Sequence, residues 1–194
     1  MEPVRSDTTT DRHTAVELAK RLLVDSIWRT AKIEVDGVTF PDAQEIFDGR
    51  APEGMSVDDI VTVNNIKRAW RFLLENIDYP ADWQYIREYN RIIGEGLVRD
   101  AGRLREYGVR IGGTGWVPEI PAVESSQERV RGILEESEGE DTAMLLFGAV
   151  TRGQWFSDGN KRTALMAANH QLIHDGIGVF SIPPEDKAQF VSML

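Results

Sequence analysis

The sequence contains no cysteine, which excludes disulfides, thiolate metal centres and cysteine nucleophiles and permits a reducing compartment. Histidine is almost as scarce, with only His13, His170 and His174, so a histidine-rich metal site is not expected. No apolar run approaches the roughly 18 residues of a membrane span. The polar start MEPVRSDTTTDRH also lacks the apolar stretch of a signal peptide. Basic charge is in deficit: 22 Lys and Arg stand against 32 Asp and Glu, for a net charge of -10. That balance opposes broad nucleic-acid binding, which calls for a basic face. The expectation is a cytoplasmic protein with neither a membrane nor a nucleic-acid partner.

What is present is ordinary for a globular domain: 194 residues, 41% hydrophobic and 28% charged, enough to bury a sizeable core. Residues 1–12 read as a disordered lead-in. Residues 13–194 read as one domain, because no linker separates two cores and no repeat is visible. Val16, Leu18, Leu22, Leu23, Ile27 and Trp28 recur at helical spacing, which predicts a helix over 14–35. Further helices are expected at 41–47, from Ser56 to just before Pro80, at 82–97, 123–134 and 141–150, and from Asn160 to His174. The acidic piece 135–141 reads as a solvated connection. Val109 to Val117, with Gly112-Gly113-Thr114-Gly115 inside it, has the turn chemistry of a β-hairpin. The pattern is still helical at Leu194, which suggests a longer natural C-terminal portion. The fold class expected is all-α with one small hairpin.

Residues 154–165, QWFSDGNKRTAL, carry most of the functional information. Gly159 and Asn160 are turn residues placed where an apolar helical run begins. Such a turn aims several backbone N–H groups at one spot, and Lys161 and Arg162 add positive charge there. The result is an anion site, and Asp158 is the candidate for holding a divalent cation beside a bound phosphate. The first position, where a proton acceptor would be useful, is Gln154, whose amide takes no proton near neutral pH.

This segment resembles the signature of the Fic (filamentation-induced-by-cAMP) family, His-Pro-Phe-x-Asp/Glu-Gly-Asn-Gly/Lys-Arg. Phe156, Asp158, Gly159, Asn160, Lys161 and Arg162 match, while Gln154 replaces the histidine and Trp155 the proline. The resemblance extends to Arg110–Pro118, which is similar to the family's flap, with Gly113, Thr114, Gly115 and Trp116 at its centre. A flap of this kind lines up a segment of a target protein by β-augmentation. Thr30-x-x-x-Glu34 is similar to the family's inhibitory helix. There the glutamate enters the nucleotide site and pairs with a second arginine, whose position is taken here by Leu165. Glu34 therefore has two readings, an inhibitory group that reaches Arg162 instead, or a solvated glutamate near a helix end.

In active members the resemblance implies transfer of AMP from ATP to a Ser, Thr or Tyr hydroxyl. The histidine acts as general base, the aspartate holds Mg2+, the asparagine and turn amides cradle phosphates, and the arginine stabilises developing charge. The GNKRTAL form also looks like the death-on-curing, toxin–antitoxin-like branch, some of whose members phosphorylate their targets. Gln154 opposes either route, since loss of a general base costs about 10²–10⁴-fold. His170 cannot stand in, because ten residues past Asn160 along a helix is about 15 Å. It and His174 are expected to be structural or surface groups. Three readings result. In the first, a degenerate domain binds a nucleotide but transfers weakly or not at all. In the second, an active transferase obtains its base elsewhere. In the third, a non-catalytic interaction module uses the flap groove.

Overall fold

The computed structural model describes residues 11–110 and 115–193. In chain order the helices are α1 (Arg12–Arg21), α2 (Leu23–Lys32), α3 (Phe40–Phe47), α4 (Val57–Glu75), α5 (Trp83–Gly94), α6 (Val123–Glu136), α7 (Gly139–Gly153) and α8 (Asn160–His174). A short 3-10 turn, Pro184–Asp186, leads into α9 (Lys187–Ser192). Side-chain caps set several of the starts. Asp11, Thr39, Ser56 and Asp82 each accept backbone N–H groups of the following first turn, and Thr39 forms a reciprocal capping box with Asp42.

Helix α8 is the axis of the molecule. It packs against α1, α2, α4, α5 and α7, and all of its residues except Lys161 and His174 are buried. A helix buried all round shows little amphipathic pattern, and its polar residues must find partners inside the protein. They do so by bonding outward to their neighbours. Asn169 exchanges bonds with the backbone N–H and carbonyl of Phe180, and the Gln171 side chain accepts from Ala81 N–H and donates to Asp175. Thr163 accepts from Asn90 of α5.

His170 is the most constrained member of this set. It is fully buried, its Nε2 lies 2.8 Å from the Tyr79 carbonyl, and its Nδ1 lies 2.6 Å from the Tyr89 hydroxyl. The carbonyl can only accept, so Nε2 carries the proton and Nδ1 accepts from the hydroxyl. Burial lowers the imidazole from 6.5 to about 4, while the bond to the Tyr79 carbonyl acts weakly in the opposite sense. Between those values the unfolded chain binds a proton that the folded one rejects, so stability falls as pH drops through 6.5 toward 4. The full loss is about 3 kcal/mol. Urea unfolding from pH 7 to pH 4.5 should show that slope, and His170→Gln should lose most of it relative to the parent.

The structure departs from the sequence expectations in four places. The continuous helix expected over 14–35 is two helices, because Leu22 leaves helical geometry (φ -90°, ψ 4°). Its halves follow different partners, α1 packing on α8 and α2 on α3 and α4. The connection expected over 135–141 shrinks to Ser137 and Glu138, with helix on either side. The hairpin expected over 109–117 is not formed by residues 109, 110 and 115–117, and 111–114 lie outside the described residues. The one β pairing among the described residues is an isolated antiparallel bridge between Leu104 and Phe156. The lead-in expected over 1–12 falls outside the described residues as far as position 10, and Asp11 and Arg12 form the cap and start of α1.

Candidate functional site

The segment 153–163 joins the end of α7 to the start of α8 and is built on three anchors. The first is Gln154, the only non-glycine residue with positive φ among the described residues (φ 44°, ψ 52°), where it closes α7 in the left-handed conformation. The second is Phe156, which is fully buried in a core with Trp83, Ile86, Leu146 and Val150. Trp155 joins the same core, its ring 5.4 Å from Trp83 in an edge-on arrangement. Its indole lies over Gly153 so closely that any β-carbon there would collide with it. The third anchor is Asn160, whose buried amide accepts from Phe156 N–H (3.0 Å) and donates to the Phe156 carbonyl (2.8 Å). Asn160 also donates to Oε1 of Gln154 at 3.3 Å. Gly159 supplies the turn, with φ 76°, and a β-carbon there would press on Ile93 and Asn90.

Both ends of the Gln154 amide are therefore engaged. Oε1 accepts from Asn160, and Nε2 donates to the Thr151 carbonyl at 2.6 Å. The Asn160 side chain, expected in a phosphate cradle, is bonded here to the loop. Helix α8 starts without a side-chain cap, so Gly159 offers its first-turn N–H groups no side-chain acceptor. Arg162 is buried and pairs with Asp158 at 3.2 Å, while the Asp158 carboxylate itself is about half exposed. The Nε of Arg162 is buried with no hydrogen-bond acceptor among the described residues. Lys161 pairs with Glu34 at 3.2 Å. The structure thus brings Glu34 to the turn at 158–162, through Lys161 and not Arg162. Leu165 lies in an apolar cluster with Ile33, Ile182 and Phe190. No set of three acidic or histidine residues able to hold a metal occurs among the described residues, so Asp158 stands as a single carboxylate.

Of the expected flap residues, Gly113 and Thr114 lie outside the described residues. Trp116 is exposed, donates to the Arg152 carbonyl at 3.0 Å and carries the Arg152 guanidinium over its ring at 4.8 Å. Gly115, beside it, has open space at its β position. Together with Ile120, Arg129, Met144 and Trp155, Trp116 lines a groove of about 700 Å³ that begins at Gly153.

Two residues central to this geometry escaped the sequence reading. Asn90, buried on α5, donates to the Asp158 carbonyl (2.9 Å) and to Thr163, and accepts from Gly102 N–H (2.8 Å). Arg105 is buried and has no carboxylate partner among the described residues. Its guanidinium donates to main-chain carbonyls of Gln154 (2.5 Å), Gly153, Tyr107, Pro118 and Glu119, and burial lowers its pKa. Two of those carbonyls end α7, where a cation is favoured by the helix dipole. Neither residue sits in a recognisable motif; only their placement in the fold reveals them.

The fold agrees with what comparison with known proteins returns. Residues 80–172 match the model of the Fic/DOC family. A Fic domain-containing signaling protein from Bacteroides thetaiotaomicron superposes with a TM-score of 0.74 at 18% identity, over 91% of this chain and 72% of that one. Fic-1 from C. elegans gives 0.76 at 18% identity, over 97% of this chain and 58% of that one. A Fic family protein from Desulfovibrio desulfuricans gives 0.67 at 17% identity, over 90% of this chain and 56% of that one. The chain thus spans little more than half the length of the latter two structures. No curated protein matches the sequence.

Proposed function

We propose that the turn at 158–162 binds the phosphate groups of a nucleotide such as ATP, and that AMP transfer from it is weak or absent. The observation that carries this reading is the start of α8. An uncapped first turn sits beside Lys161 and Arg162, and Arg162 keeps a buried N–H without an acceptor. An arriving phosphate would meet a helix N-terminus beside these two cations. Asp158 fits Mg2+ through the carboxylate oxygen that Arg162 leaves free, since Mg2+ beside phosphates needs only one or two carboxylates. When bound there, the ion would neutralise phosphate charge.

The same geometry argues against efficient transfer. A target hydroxyl must lose its proton, and the Gln154 amide has no basic site and is held by Thr151 and Asn160. His170 is locked between Tyr79 and Tyr89 within the core. Glu34 adds a competitor, because it neutralises Lys161 at the point where a phosphate would sit. A second reading is favoured by the groove beside Trp116. Its exposed Trp116, Ile120 and Met144 and its two arginines suit a segment of a target protein, whether or not that protein is modified.

Calorimetric titration with ATP and Mg2+ tests the phosphate site. Saturable binding is expected. Arg162→Ala should weaken it about tenfold or more, in line with a charge-assisted hydrogen bond. Asp158→Ala should weaken it only when Mg2+ is present, and Glu34→Gln should tighten it. No heat or shift with ATP–Mg2+ would sink the proposal.

A further inference from the structure

Away from the anion turn, a second cavity of about 550 Å³ opens between the C-terminal half of α4 and the first turns of α5. Its walls are Phe72, Tyr79 and Tyr85, with Asp82 and Glu88 at the rim, and no lysine or arginine lines it. Phe72 and Tyr85 stand 5.9 Å apart with their planes tilted by 47°. Tyr79 is exposed, and Tyr85 is held from behind by the buried His170 ring at 4.9 Å. The rings of Phe72 and Tyr85 are therefore set by the core and by α5, and Tyr79 adds an exposed ring beside them.

We propose that this cavity binds an alkylated ammonium group, a quaternary ammonium head carrying methyl groups. Aromatic faces attract a cation whose charge is spread over apolar surface. A neutral apolar ligand would gain nothing from Asp82, and an anion would be repelled by it. A metal ion is excluded by the ligand count, since no three metal-binding side chains converge among the described residues.

The carboxylates decide between cations. Oδ1 of Asp82 already accepts from the backbone N–H groups of Gln84 (2.8 Å) and Tyr85 (3.0 Å), which caps α5. Glu88 is gripped by Arg91 through both oxygens, at 2.8 Å and 2.6 Å. Neither acid offers the free two-oxygen fork that a guanidinium requires. A quaternary ammonium has no N–H to satisfy and needs only the rings and the field of Asp82. The two sources of such a group are a free choline-like molecule and a trimethylated lysine side chain of a peptide.

The test is an NMR titration of the full chain with butyltrimethylammonium, followed by a choline arm and a trimethyl-lysine peptide arm. The expected result is saturable binding with the N-methyl protons shifted upfield by the surrounding rings. Tyr79→Leu, at an exposed position, should weaken binding about fivefold. Asp82→Asn keeps the capping oxygen, removes the charge and should weaken it by a similar factor. The uncharged carbon analogue, a neohexyl alcohol, should bind more weakly than the cation. Tighter binding of choline identifies a small-molecule site, and tighter binding of the peptide identifies a protein partner. Absence of an upfield shift, equal binding of the carbon analogue, or unchanged affinity in Tyr79→Leu would each overturn the proposal. None of these readings depends on whether ATP binds at residues 158–162.

Discussion

Gln154→His is expected to raise AMP transfer from labelled ATP to protein hydroxyls by about 10²–10⁴-fold over the parent. The expectation rests on position as much as on chemistry. Residue 154 ends α7 in the left-handed conformation, which histidine adopts more readily than most residues. The main chain at this point is fixed independently of the side chain, because Arg105 holds the Gln154 carbonyl and Phe156 anchors the following loop. Substitution therefore exchanges an amide for an imidazole at a preset place beside the uncapped turn of α8. A proton acceptor would thus be supplied, on the proposed reading, without rebuilding the scaffold. Gln154→Asn is the control, since asparagine tolerates the same backbone conformation and offers no base. Labelling in the histidine variant alone supports the reading. Equal labelling in parent and variants would show that the base comes from elsewhere, and that the absence of histidine here carries no mechanistic weight.

The legible part of this protein was the part written in local chemistry. The cap at Ser56, the Gly159 turn and the extent of α8 follow from neighbouring residues, and the structure has them where local rules put them. The break at Leu22 was not legible, because no proline or glycine marks it. It arises where α1 turns to α8 while α2 turns to α3 and α4. The pairing of Glu34 was half legible. Its approach to the anion turn was one of the readings of the sequence, but the partner is Lys161, a choice set by how α2 ends against α8. Asn90 and Arg105 carry no sequence signal at all. An asparagine on a helix and an arginine in a loop are ordinary surface residues until the fold surrounds them with main-chain groups that need partners.

Arg105→Met should lower the unfolding free energy by about 4 kcal/mol, judged from a cost of 1–3 kcal/mol for each buried carbonyl left without a donor. The guanidinium serves five carbonyls from three separate stretches: the end of α7, Tyr107, and Pro118–Glu119. Carbonyls at a helix end have no donor within the helix, and those of Gly153 and Gln154 flank an indole that fills the neighbouring space. Methionine matches the length of the side chain but offers none of the donors. Arg105→Lys keeps the charge on a single nitrogen that cannot span all three stretches, so it should recover only part of the loss. Urea unfolding of the three proteins at pH 7 measures both steps, and a loss below 1 kcal/mol in Arg105→Met would show that water replaces the guanidinium at little cost. The consequence for function follows from the same contacts. With Arg105 gone, Pro118–Glu119 and the residue at 154 no longer share an anchor, so adding Arg105→Met to Gln154→His should remove most of the labelling gained, even at temperatures where the double variant remains folded.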